Sequence, residues 1–131
     1  MNFYTRKLIK PEDLNANNTL FGGSLLRWLD EEAAIYAIIQ LGTNKCVTKF
    51  MSEINFVSSA KQGDIVELGI KAIEFGRTSL TLNCQVRNKI TQKTILTIER
   101  MVFVSVDDDG RPCPHGKTSI TYTDERLRED E

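Results

Sequence analysis

The stretch "NANNTLFGGSLLRWLDEEAA", residues 15 to 34, gathers three kinds of group able to act on a carbonyl. Asn15 and Asn17 lie in a polar loop, where a side-chain amide can place a water or a substrate. Gly22 and Gly23 then open a helical pattern. Glycines at a helix start leave backbone N–H groups free and let a ligand approach closely, an arrangement that stabilises a developing oxyanion. The same pair also fits a tight turn into the helix. Asp30 follows Gly23 by two helical turns, about 10 Å along the axis. On the helical wheel it lines up with Gly23, Leu26, Ala33, Ala34, Ala37 and Leu41, all small or aliphatic. Arg27, Glu31 and Ser24 gather on one flank, and Glu32 is nearly opposite. An ionised carboxylate drawn partly out of water is a stronger base. The spacing also fits a structural aspartate bonded to nearby backbone or to a partner chain.

Other chemistries find little support. His115 is the only histidine and falls in a loop-like "PCPHGK", which disfavours Ser-His-Asp and Cys-His arrangements. Cys113 and His115 are two neighbouring ligand types, too few for a metal site. "DDDG" lacks calcium-loop spacing, and no phosphate-cradling or dinucleotide fingerprint occurs. No metal and no cofactor are expected. A net charge of −1 offers nucleic acid or an anionic membrane surface no electrostatic attraction. No apolar run approaches the roughly 20 residues of a membrane span. Cys46, Cys84 and Cys113 form no CxxC pair, and the N-terminal residues lack a secretion-signal layout. A cytoplasmic location with free thiols is therefore expected.

These groups need elements to hold them. Phe3 to Ile9 is rich in strand formers, and Pro11 to Thr19 reads as loop. The pattern from about Gly23 to Leu41 predicts one long helix, stopped by Gly42. Its second half, "AAIYAIIQL", is apolar nearly all round and has to be buried. Cys46–Val57, Asp64–Phe75, Arg77–Arg87 and Thr94–Val106 read as strands separated by turn-like "AKQGD", "FGR" and "NKITQK". One long helix followed by such strands predicts an α+β fold, a sheet curling around a central helix, in a single domain over residues 1–131. A polar tail begins at about 113, and "TDERLREDE" reads as a solvated terminus.

At "DLNANNTLFGGSLLRWLDEEAA" the chain resembles the acyl-CoA thioester hydrolases of the hotdog superfamily. The resemblance continues through "INFVSSAKQGD", "FGRTSLTLNCQV" and "MVFVSVDDDGRP", covering roughly residues 4 to 112. It implies a long central helix wrapped by a curved antiparallel sheet, an acyl-CoA substrate, and dimers, often assembled as trimers of dimers, with active sites at the dimer interface. Asp30 would be the catalytic carboxylate, as base or nucleophile, and Asn15 or Asn17 the asparagine that places water and substrate. The amides at Gly22 and Gly23 would polarise the thioester carbonyl. "GRTS" resembles the segment meeting the coenzyme A nucleotide, through Arg77, Thr78 and Ser79. Where relatives carry a basic residue and a proline before the "GD" turn, this chain has Ser58 and Ser59, and Lys61 supplies a charge from a shifted position. The hotdog dehydratases use a histidine in their helix region, which this chain lacks. The alternative function is a non-catalytic acyl-CoA-binding or regulatory hotdog protein.

Overall fold

The computed structural model describes residues 1–121, so the "TDERLREDE" stretch, 123–131, lies outside the described residues. Helix α1 spans Gly22–Leu41 and ends at Gly42, whose φ of 70° turns the chain while its N–H reaches Ile38 O at 2.9 Å. Six strands surround its inner face: β1 Asn2–Leu8, β2 Cys46–Met51, β3 Ile54–Phe56, β4 Ile65–Phe75, β5 Ser79–Asn88 and β6 Thr94–Ser105. They form one antiparallel sheet in the order β1-β4-β5-β6-β2, with β3 also on β6.

Alternation along the central strands builds the core. Val66, Leu68, Ile70 and Ala72 of β4 lie beside Leu80, Leu82, Cys84 and Val86 of β5, and then Leu96, Ile98, Met101 and Phe103 of β6. All are buried, and α1 lays Leu25, Leu29, Ala33, Tyr36, Ala37 and Leu41 against them. On the opposite face Glu67 is buried between two arginines, with Arg87 Nε 2.6 Å and Arg6 Nε 3.7 Å from its carboxylate oxygens. That pairing ties β1 and β5 to β4 across the outer face.

Three details differ from the sequence pattern. The helix begins one residue earlier, at Gly22. The run from Cys46 to Val57 is two strands, because Ser52 Oγ takes the Arg100 N–H at 3.0 Å and interrupts the backbone ladder. The deepest helical stripe runs through Leu25, Leu29, Ala33, Tyr36 and Ala37, so Asp30 sits half-buried at its border instead of on the core face. Wheel alignment with alanines placed it too deep, since the large side chains at 25, 29 and 36 set which way the helix turns.

Tyr36 locks the helix to the sheet. Its phenolic oxygen accepts the Ala72 N–H at 3.0 Å, beside an irregularity between Ala72 and Glu74 where the β4–β5 register shifts. Tyr36→Phe leaves that buried N–H without this acceptor and is expected to cost about 1–2 kcal/mol. A chemical denaturation midpoint equal to the parent's would show that the bond contributes nothing.

Candidate active site

The chain before α1 is a closed turn organised by Asn15. Its Oδ1 accepts the Asn17 N–H at 2.8 Å and the Thr19 N–H at 3.2 Å, while its Nδ2 donates to Thr19 Oγ1 at 3.0 Å. Asn18 adopts a φ of 59°, a left-handed conformation that asparagine tolerates. Asn17 is exposed and contributes its backbone amide to this turn. The turn is anchored beneath the helix start, where Leu20 N–H donates to Ala60 O at 2.7 Å and Phe21 N–H to Asp13 O at 2.8 Å.

Phe21 caps α1 without a side-chain hydrogen bond, and the Leu25 N–H returns to Phe21 O at 3.1 Å. The amides of Gly22, Gly23 and Ser24 thus stand ahead of the helical ladder, where the positive end of the helix dipole favours an anionic oxygen. The Phe56 ring lies close over Gly22, and a side chain at that position would meet it at 3.3 Å. A cavity of about 340 Å³ opens here, lined by Leu20, Gly22, Leu25, Phe56, Ser58 and Ile95 among others. Ser58 Oγ donates to Thr94 O at 2.7 Å, so its proton is committed to the fold and the hydroxyl has only acceptor capacity left. Lys61 is exposed beside the Asn15 turn, to which its backbone is bridged through Thr19.

Asp30 lies farther along α1 and is fixed by a residue the sequence did not single out. Thr48, on strand β2, donates its hydroxyl to Asp30 Oδ1 at 3.0 Å. Cys84 is buried on β5. Burial, and behind it the charge of Asp30, push the Cys84 thiol up to about 12, so it stays protonated and inert. One carboxylate oxygen of Asp30 is thus oriented by Thr48. No motif announces Thr48, because its contact exists only once β2 is laid beside the helix.

Gly76, Arg77 and Thr78 form the tight connection from β4 to Ser79, the first residue of β5, closed by Gly76 N–H to Ser79 O at 3.0 Å. Arg77 is exposed, while Thr78 and Ser79 are half-buried. Ser79 pairs opposite Val104, whereas Ser58 bonds at Thr94; that separates the two by roughly 33 Å measured along β6. Within one chain, then, Asn15, Asn17, Gly22, Gly23, Ser58 and Lys61 gather at the helix start, Asp30 stands two turns away, and Arg77–Ser79 occupy the far end of the sheet. Among the described residues no group of acidic, histidine and cysteine side chains is arranged to hold a metal. Cys46, Cys84 and Cys113 are free, and no described helix is long and apolar enough to cross a membrane.

Known proteins share this fold. The chain is 32% identical over 115 residues to the acyl-CoA thioester hydrolase YciA of Salmonella typhimurium, covering 83% of this chain and 86% of that one. The hexameric thioesterase y2039 of Yersinia pestis superposes with a TM-score of 0.77 at 31% identity, over 86% of this chain and 95% of the other. The acyl-CoA hydrolase of Staphylococcus aureus, solved with butyryl coenzyme A and coenzyme A, superposes with a TM-score of 0.76 at 29% identity, over 84% of this chain and 66% of that one. That hydrolase has also been solved as an aspartate-to-alanine and an asparagine-to-alanine variant, the two positions fifteen residues apart. The family model of the thioesterase superfamily matches residues 17–95, from the asparagine turn through the helix to the start of β6, and this chain belongs to that superfamily.

Proposed function

We infer that this protein is an acyl-CoA thioester hydrolase, releasing a free carboxylic acid and coenzyme A. The observation that carries the reading is a carboxylate, Asp30, bonded by Thr48 of β2 and carried on the same helix whose glycine start presents amides ahead of the helical ladder. Asp30 supplies the oxygen that either takes a proton from the attacking water or bonds the carbonyl carbon itself. The amides at Gly22 and Gly23 receive the negative charge that develops on the carbonyl oxygen. The C–S bond then breaks. On the base route the proton taken by Asp30 passes to the departing sulfur, giving the free acid and coenzyme A thiol. On the nucleophile route the thiolate takes a proton from water, and a second water hydrolyses the acyl–Asp30 anhydride to the free acid and the carboxylate. Asn15 is the asparagine we assign to the site: it precedes Asp30 by fifteen positions, the separation between the two substituted positions in the Staphylococcus aureus hydrolase.

Helix geometry argues that one chain does not complete this site. Two turns, about 10 Å, separate the amide end of α1 from Asp30, more than one thioester carbonyl can bridge. A two-fold partner resolves this by bringing the helix start of one copy to Asp30 of the other. The contact expected for such a dimer is β2, at the end of the sheet, where Val47 and Phe50 leave about half of their surface exposed. Three such dimers forming a hexamer is the assembly we propose, on the precedent of the hexameric relatives.

Arg77, with the hydroxyls of Thr78 and Ser79, is assigned to the phosphates of coenzyme A, and Lys61 adds charge at the helix start. Release of free thiol from a panel of acyl-CoA esters tests the function. The parent protein is expected to turn over, and Arg77→Ala to raise KM about tenfold with kcat nearly unchanged, the mark of lost uniform binding. That effect should shrink as salt screens an exposed guanidinium. Saturable binding of acyl-CoA without thiol release would make the protein a binding module, and an unmoved KM would reduce the Arg77 turn to a structural connection.

A further inference from the structure

The chain beyond β6 returns to the coenzyme turn and holds it through the backbone N–H and the ring of one residue. After Asp107–Gly110, Cys113 N–H rejoins Ser105 O at 2.8 Å, and the segment reaches Thr121, whose backbone forms paired bonds with the buried Gln40 side chain at 2.7 and 2.6 Å. His115 lies in the middle. Its backbone N–H donates to Arg77 O at 3.2 Å, its Nε2 is 2.8 Å from Ser79 O, and its ring meets Phe75 edge-on, 6.3 Å between centroids. Nδ1 accepts the Lys117 N–H at 3.0 Å, made possible by Gly116 at a φ of 71°. With Nδ1 accepting, the proton must sit on Nε2, which therefore donates to Ser79 O. Thr78 O takes the Ser105 N–H at 2.8 Å, so all three consecutive carbonyls of the turn are bonded, two of them to His115.

We propose that His115 is a positioning residue for coenzyme binding: it fixes the Arg77–Ser79 backbone so that the Arg77 guanidinium and the two hydroxyls face one phosphate group. This rests on the reading of Arg77–Ser79 as the coenzyme segment. The chemistry it sets is bidentate, charge-assisted bonding, which depends on a prearranged backbone more than on charge alone. His115 touches neither the acyl carbonyl nor Asp30, so its loss acts on binding.

Side chains of graded length separate this role from general support of the fold. Glutamine places an N–H where Nε2 stands and keeps the Ser79 bond, whereas asparagine reaches only the Nδ1 position and keeps the Lys117 bond. His115→Ala and His115→Asn are expected to raise KM for acyl-CoA about tenfold with kcat within about twofold, and His115→Gln to remain within about twofold of the parent. In an Arg77→Ala background, His115→Ala should raise KM by clearly less than its roughly tenfold effect in the parent, because the charged group it positions is gone and only the two hydroxyls remain. Should the alanine variant fail to fold, the asparagine and glutamine pair still gives the contrast. Equal KM values for the asparagine and glutamine variants, or full additivity with Arg77→Ala, overturn the proposal while leaving the coenzyme turn intact. A KM unmoved by Arg77→Ala overturns the coenzyme reading and this proposal together.

Discussion

Asp30→Asn is expected to lower kcat for acyl-CoA hydrolysis at least a hundredfold, about 2.7 kcal/mol of lost transition-state stabilisation, in a chain that still folds. The substitution keeps the shape of the side chain, and an amide oxygen can still accept the Thr48 hydroxyl bond now made at 3.0 Å. What disappears is the negative charge, and with it the basicity and nucleophilicity. The Cys84 thiol does not replace it, because burial keeps it protonated. Folding should survive because Asp30 sits at the border of the buried stripe and contributes no packing to its centre. Glu31→Gln and Glu32→Gln serve as controls and should change kcat by no more than a few-fold, since neither shares the face of Asp30. Steady-state thiol release, with a thermal melt of each variant, reads this out. A folded Asp30→Asn protein with activity within a few-fold of the parent would remove Asp30 from the chemistry.

Much of this arrangement could be read from local pattern. The runs Asp64–Phe75, Arg77–Arg87 and Thr94–Val106 were legible as strands that became β4, β5 and β6, and the glycine at 42 marked the end of α1, because both signals depend on near neighbours in sequence. The family resemblance, more than spacing, singled out Asp30 as catalytic. Its exact setting escaped, since the rotation of a helix nearly apolar all round is decided by which large side chains fit the sheet. Thr48 escaped for a related reason: its partner is eighteen residues away and on another element. His115 was legible as a loop residue outside any nucleophilic triad. Its bonds to the Arg77 turn depend on a chain reversal across 36 residues that no local pattern encodes. The tail expected from about 113 is polar in composition, yet through Thr121 it lies against the helix end and the sheet.

Subunit mixing carries the second large effect. If the site is composite, Asp30 of one copy works with Asn15 and the helix-start amides of its two-fold partner. Asp30→Ala and Asn15→Ala are then each inactive as pure dimers, for every site holds one lesion. In a mixed dimer one site inherits both lesions and the other inherits neither. Random exchange makes about half of the dimers mixed, each with one intact site of two, so roughly a quarter of the parental activity should return. A single-chain site cannot recover in this way, since each chain still carries its own lesion. Asn15 also organises its own turn, so Asn15→Ala could loosen that loop, but a loosened loop fails only in its own site and the mixing arithmetic is unchanged. The measurement is thiol release after the two variants are partially denatured together and refolded, with each refolded alone as control and subunit exchange verified by mass. Recovery of about a quarter of parental activity is the predicted result, and no recovery despite proven exchange would contradict a site shared between two copies.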